Sequence, residues 1–344
     1  MAYSTIDKSS LYQNQVLYVG NATVRSITGV GFQPDLLWIK DRTNANSHML
    51  ADAVRGATKF LVVDGTYADN TDSNRISAFD SDGFSIGTNN NVNQSSANDV
   101  AWNWKANGTG SANTDGSISS TVSANTASGF SIVSYTGTGV SAKTIGHGLG
   151  LVPKMVIVKS LNAVDSWYCY HAGIGNAKSI ILNTTGAEYA STNWNNTTPT
   201  SSVFSVAYGD TNTSARTYIA YCFAEVAGYS KFGSYTGNAN TDGAFIYTGF
   251  KPSLIIIKGT DTAYAENWFI FDNKRPGYNF NANLLNPNSS TTETTTGSNG
   301  IDILSNGFKM RSTDNGTNRS TDTYIYMAFG QPIISNSGVC ATAR

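Results

Sequence analysis

The residues that could act as nucleophiles, acids or bases are few and scattered along this chain. Its three histidines are His48, His147 and His171, and its three cysteines are Cys169, Cys222 and Cys340. No Ser-His-Asp or Cys-His order recurs along the chain, whereas nucleophilic catalysis needs a nucleophile, a base and an orienting group held together. We therefore predict no catalytic residues and no enzyme activity.

The acidic residues and the thiols are the next candidates for chemistry. Glycosidases use two carboxylates that flank the scissile bond, and the densest acidic stretch is Asp80-Ser81-Asp82-Gly83, which also resembles a Ca²⁺ loop faintly. A similar stretch later, Leu304-Ser305-Asn306-Gly307, has no carboxylate, and since Asp and Asn both favour turns, we interpret both stretches as turns. The cysteines fit neither a disulfide framework nor a metal-ligand spacing. We expect no metal and no cofactor, with Cys169 and Cys222 buried as free thiols.

Three aromatic residues in polar surroundings are candidates for ligand binding. Trp194 lies in Ala190-Ser191-Thr192-Asn193-Trp194-Asn195-Asn196, and Tyr264 and Tyr278 lie in similar stretches. A sugar needs an apolar surface for its ring and neutral polar groups for its hydroxyls, so these residues predict carbohydrate binding. The alternative, which we favour on general grounds, is that a loop aromatic packs against its own module or in a subunit contact.

Small uncharged polar residues dominate the composition of the chain. Asn, Ser and Thr make 114 of the 344 residues, only 13% are charged, and the net charge is −1. This charge provides no basic surface for a nucleic-acid backbone. The apolar runs are too short for a membrane-spanning helix, and the first ten residues are too polar for a signal peptide. Near-neutral charge with 11% aromatic residues argues against disorder.

The chain predicts an all-β protein that repeats one sequence pattern three times. Ile, Val and aromatic residues outnumber helix formers, and turn residues interrupt the apolar runs at short intervals. The clearest repeated element is a proline followed by an apolar run and a lysine, in GFQPDLLWIK (31–40), GLVPKMVIVK (150–159) and GFKPSLIIIK (249–258). A proline fits the first residue of a strand. We expect each apolar run to be a strand buried on both faces, with its lysine in solvent.

Three further elements accompany each copy in the same order. Each copy has a Tyr-x-Gly pattern upstream of the proline, an aromatic or apolar strand downstream, and an alternating strand at its end, VAWNW, IAYCF and IYMAF. We predict three β-sandwich modules of jelly-roll type, here named repeats 1, 2 and 3. The predicted segments are an N-terminal arm (1–14), repeat 1 (15–106), a Gly/Ser/Thr/Asn-rich linker (107–128), repeat 2 (129–227), repeat 3 (228–332) and a C-terminal tail (333–344).

These elements resemble a module found in tandem in virion proteins of tailed bacteriophages, particularly marine and cyanobacterial phages. The stretches that carry the resemblance are 31–40, 52–59, 79–84, 100–105, 112–118, 220–226 and 305–312. The resemblance covers nearly the whole chain. It implies a virion location after assembly in the host cytoplasm, and it supplies no catalytic or binding residues.

The resemblance implies a structural, receptor-binding role of tail-fibre type, in a homo-oligomer for which phage fibres favour a trimer. The expected partners are other copies of the chain, other virion proteins and a host surface glycan, with no nucleic acid and no membrane insertion. The N-terminal arm would be the anchor to the particle. Two alternatives stay open: a head decoration or head-fibre protein, and a tailspike that cleaves glycans.

Overall fold

The computed structural model describes residues 4–261, 265–295 and 300–334. Over these ranges the chain is built almost entirely of antiparallel strands, so the predicted all-β sandwich class is confirmed. The regular structure that is not strand consists there of a 3-10 turn at Ser9–Leu11 and two four-residue helices, α1 (Asn90–Asn93) and α2 (Asn315–Asn318). No helix in this part of the chain is long and apolar enough to cross a membrane.

The strands follow one another at short intervals through each repeat. Repeat 1 contains β1 (Gln13–Val19), β2 (Arg25–Thr28), β3 (Leu36–Asp41), β4 (Met49–Asp52), β5 (Lys59–Val62), β6 (Asn70–Thr71), β7 (Ile76–Asp80), β8 (Gly83–Ile86) and β9 (Asn98–Trp104). Next come β10 (Ser111–Asn113), β11 (Ser120–Asn125), β12 (Phe130–Thr136), β13 (Lys143–Gly146), β14 (Pro153–Ser160), β15 (Trp167–His171), β16 (Lys178–Ile181), β17 (Tyr189–Ala190), β18 (Val203–Val206) and β19 (Thr217–Ala224). Repeat 3 contains β20 (Ser230–Thr236), β21 (Phe245–Tyr247), β22 (Phe250–Gly259), β23 (Trp268–Asp272), β24 (Asn283–Leu284), β25 (Thr294–Thr295), β26 (Ile301–Leu304), β27 (Gly307–Met310) and β28 (Thr323–Pro332).

One strand order occurs in all three large sheets. The first strand of each repeat pairs with the last, the last with the proline strand, and the proline strand with the next strand along the chain, giving β1-β9-β3-β4, β12-β19-β14-β15 and β20-β28-β22-β23. A smaller sheet lies opposite each: β2-β8-β7, β13-β18 and β21-β27-β26. The chain alternates between the two sheets for its first strands, as in a jelly roll, and β4 to β6 then extend the large sheet of repeat 1.

Each large sheet is buried on both faces, which explains the continuous apolar runs in the sequence. In β3, Leu37 and Ile39 pack against the small sheet of repeat 1, while Leu36 and Trp38 lie on the opposite face. Those opposite faces from all three repeats form one central hydrophobic core. The repeats are therefore joined by packing and do not follow one another as separate beads.

Three equivalent aromatic side chains meet in this central core. Trp104, Phe223 and Phe329 each lie near the end of the last strand of their repeat, and their ring centroids are 5.9 to 6.4 Å apart. Such separations are favourable for edge-to-face aromatic pairs.

The predicted linker and arm are both part of the folded body. Segment 107–128 was predicted to be a linker, but it contains β10 and β11, and every residue of β11 pairs with β12. Its small polar residues alternate with buried ones such as Ile118 and Val122. Burial keeps water from this backbone, so its N–H and C=O groups need strand partners. In the arm, Ile6 is buried in the central core. Of the predicted tail, residues 335–344 lie outside the described ranges.

Candidate functional site

The structure does not bring the predicted sugar-binding aromatics together. Trp194 is only 2% exposed and packs edge-on against Tyr170 at 5.9 Å, so it offers no stacking surface, and the favoured alternative that it packs against its own module holds. Its local neighbours in sequence are polar, but the sandwich core of repeat 2 lies directly beneath the loop. Tyr278 is 71% exposed in repeat 3, and Tyr264 lies outside the described residues.

The histidines are used as structural hydrogen-bonding groups. His48 Nδ1 accepts a hydrogen bond from Trp38 Nε1 at 2.9 Å, and His147 Nδ1 accepts one from Leu149 N at 3.2 Å. Burial lowers the pKa of all three imidazoles, that of His171 to about 4. These rings are therefore neutral near pH 7, and their tautomers are fixed by backbone and indole partners.

The acidic stretch at residues 80–83 is a turn, as predicted. It connects β7 to β8, and the Asp82 carboxylate accepts hydrogen bonds from the backbone N–H groups of Gly31 at 2.6 Å and Gly29 at 3.2 Å. The carboxylate thereby fixes the chain after β2. Cys169 and Cys222 are buried and unpaired, also as predicted, and burial raises the pKa of both thiols.

The most highly organised polar groups lie at the contacts between repeats. Trp102 Nε1 of repeat 1 donates to Asp272 Oδ2 of repeat 3 at 3.1 Å, and Tyr221 OH of repeat 2 donates to Asp52 Oδ2 of repeat 1 at 2.8 Å. Trp102 and Tyr221 hold equivalent positions, and so do their acceptors. At the third contact His171 replaces the aspartate, and its Nε2 donates to the backbone oxygen of Tyr326 at 3.1 Å. Hydrogen bonds at the equivalent positions Asp272, Asp52 and His171 thus join repeat 1 to 3, repeat 2 to 1 and repeat 2 to 3, which closes a cycle.

A second position forms another set of contacts around the same cycle. Trp167 Nε1 donates to Val62 O at 3.2 Å across the contact between repeats 2 and 1, and Trp268 Nε1 donates to Ile181 O at 2.9 Å across the contact between repeats 3 and 2. His48 holds the equivalent position at the remaining contact, between repeats 1 and 3, but its buried Nε2 has no hydrogen-bond partner there among the described residues. This second bond is therefore made at two of the three contacts between repeats.

The lysine that ends each proline strand is buried, which corrects the expectation that it lies in solvent. Lys40, Lys159 and Lys258 have no exposed surface. Lys40 Nζ donates to Ser290 O of repeat 3 at 3.1 Å, and Lys258 Nζ donates to Thr185 O of repeat 2 at 2.9 Å. Backbone carbonyls replace water around each ammonium group, because a neighbouring repeat covers the strand end. Burial lowers the pKa of all three lysines to about 8.

Two aspartate–arginine pairs support the same contacts. Arg55 Nε binds Asp52 Oδ2 at 2.6 Å, and Arg275 Nε binds Asp272 Oδ2 at 2.6 Å, each three residues along the chain. Arg275 also binds Glu293 at 2.9 Å. These pairs hold the carboxylates that accept from the neighbouring repeats. Sequence reasoning missed them, although the recurrence of Asp-x-x-Arg after the equivalent strands was a visible signal.

These contacts fix the positions of the repeats relative to one another. A family model likewise treats the repeats as one continuous unit. No curated protein and no solved structure matches the chain. One family model matches residues 8–332, across all three repeats and the segment between the first two. On this match, the chain belongs to the family described as "Domain of unknown function (DUF7483)".

Proposed function

We propose that this chain is a non-enzymatic structural component of a tailed-phage virion, a tail fibre or receptor-binding appendage that engages the host surface. The observation that carries the proposal is the closed cycle of contacts around one central core. Such a construction suits a rigid structural element, since the buried polar groups of Trp102, Tyr221 and His171 join neighbouring repeats. The sequence resemblance supplies the virion setting.

The internal arrangement also fits a position on a symmetric appendage. Three equivalent strands and three equivalent aromatic residues lie around a common centre. Three repeats packed around one core would present similar surfaces in three directions, which suits attachment to a threefold fibre.

Self-association through homotrimers is part of the same proposal. Strand β1 is an edge of its sheet, and its Leu17 and Val19 are 41% and 55% exposed. An edge strand that presents apolar residues is a pairing template unless charge or another chain covers it. The mass of the purified chain in solution tests this part: three chains per particle supports it, and a monomer at micromolar concentration contradicts it.

The location is tested by labelling virions with an antibody against the chain and imaging them by electron microscopy. The proposal predicts label on the tail or its fibres, at the low copy number of an appendage. Label distributed over the head, with several hundred copies per particle, would establish the head-decoration alternative. Release of oligosaccharide from host lipopolysaccharide by the purified chain would establish the glycan-cleaving alternative.

A further inference from the structure

An open groove on repeat 2 has the dimensions and lining of a ligand site. It has a volume of about 540 Å³ and lies between the end of β17 and the loop that precedes β19. Small-molecule sites commonly have volumes of roughly 300–1,000 Å³. Two tyrosines on its walls, Tyr189 and Tyr208, are 37% and 68% exposed.

The loop that forms one wall is held in place from below. Trp194 anchors it in the sandwich core, and Asn193 O accepts hydrogen bonds from Thr211 Oγ1 at 2.9 Å and Ala207 N at 3.2 Å. Ser191 N donates to Ala177 O at 2.9 Å on the opposite side. A wall fixed in this way loses little entropy when a ligand binds. The buried tryptophan thus supports the groove without lining it.

The polar groups of the groove are neutral amides and hydroxyls with one carboxylate. Asp210 Oδ2 accepts a hydrogen bond from Asn193 Nδ2 at 3.4 Å, and the exposed Asn196 is held in the left-handed region at φ +48°. Partial burial, together with the negative charge of Asp210, raises the pKa of Tyr189 to about 12. The Tyr189 hydroxyl is protonated at neutral pH, as in any tyrosine, and can donate a hydrogen bond.

We propose that this groove binds a neutral oligosaccharide, with a sugar ring packed on Tyr208 and its hydroxyls bonded to Asp210, Asn196 and Tyr189. A pyranose has an apolar C–H face that suits an exposed aromatic ring, and its vicinal hydroxyls suit a carboxylate and amides. The described lining residues include this carboxylate and no lysine or arginine, so sialic and uronic acids are disfavoured. The assignment of the groove to a saccharide stands on its lining residues. Only the claim that this saccharide comes from a host surface rests on the proposed function.

The test is calorimetric titration of the purified full chain with maltotetraose, cellotetraose, chitotetraose and, as an anionic probe, 6′-sialyllactose. We expect at least one neutral oligosaccharide to bind, and Tyr208→Ala to weaken that binding about tenfold, which corresponds to a lost aromatic contact of about 1.4 kcal/mol. Tyr67→Ala is the matched control, since Tyr67 is 64% exposed but belongs to repeat 1; it should leave affinity unchanged. Asp210→Asn should weaken the neutral ligand and reduce the discrimination against sialyllactose.

Three results would overturn the inference: no binding by any of the neutral probes, equal affinity in Tyr208→Ala, or tighter binding of sialyllactose than of every neutral probe. Folding of each variant is checked by its unfolding midpoint. The readout is separate from virion location. If the chain binds a saccharide but is absent from virions, the proposed function is refuted and the groove assignment stands. If tails are labelled but no saccharide binds, the proposed function stands and the groove assignment is refuted.

Discussion

Replacement of Phe329 by alanine tests how the three repeats depend on the central core. Phe329 is 1% exposed, and its ring centroid lies 5.9 Å from both Trp104 and Phe223, which belong to the other two repeats. Removal of a buried phenylalanine side chain costs about 3–5 kcal/mol. We take about 4 kcal/mol, because the aromatic contacts add roughly 0.5–1.5 kcal/mol each but share the same side chain.

This loss is measured by urea unfolding followed by tryptophan fluorescence, with Phe245→Ala as the matched control. With a slope of about 3 kcal/mol/M, the Phe329→Ala midpoint falls by about 1.3 M. Phe245 lies in the same repeat but is 48% exposed, so its removal should cost about 1 kcal/mol or less. Amide exchange in β3 of repeat 1 should accelerate along with exchange in β28, since both strands face the same core.

The reasoning would be refuted by a variant in which repeat 3 unfolds alone at low urea while β3 keeps its native exchange rate. Equal losses in Phe329→Ala and Phe245→Ala would also contradict it, because burial in the shared core would then have no energetic consequence.

Three further perturbations follow from the same contacts. Burial lowers the pKa of His171 from 6.5 to about 4, so as pH falls the unfolded chain binds a proton at His171 before the folded chain does. The free energy of unfolding is therefore unaffected by this group above pH 6.5 and falls by about 3 kcal/mol by pH 4. In His171→Gln this pH dependence should be smaller, as measured by comparing unfolding at pH 7 and 4.5. Trp194→Ala should lower the unfolding free energy by about 3–5 kcal/mol, measured by urea titration, and an unchanged midpoint would restore the idea of an exposed tryptophan. A fragment of residues 228–332 should lack a native circular dichroism spectrum and a cooperative transition, because its central-core face would be exposed; a cooperatively folded fragment would show that repeat 3 is independent.

The sequence predicted the strands well because their periodicity reports local burial. The run 36–39 identified β3 and its burial on both faces, since an apolar residue at every position needs two partners. The same apolar run does not predict the strand order of the sheet. It also does not predict what covers the face with Leu36 and Trp38, because a hydrophobic run indicates that a strand is buried and not which element buries it. The central core is therefore the largest feature that sequence reasoning missed.

The wrong expectations share a physical cause. Lys40 and Trp194 were judged from their neighbours in sequence, but their burial comes from residues far along the chain, Ser290 for the lysine and Tyr170 for the tryptophan. Segment 107–128 has a linker-like composition, yet residues 120–125 pair with β12. The groove brings Tyr189 of β17 beside Tyr208, nineteen positions further along the chain, and no local pattern predicts that proximity.

The central claim, that the three repeats form one cooperative body around a shared core, is tested most directly by scanning calorimetry of the intact chain. The measured enthalpy of unfolding is compared with the van 't Hoff enthalpy from the width of the transition. A single transition with a ratio near one is the predicted result. A ratio near three, or three resolved transitions, would mean that the repeats unfold independently and would contradict the claim.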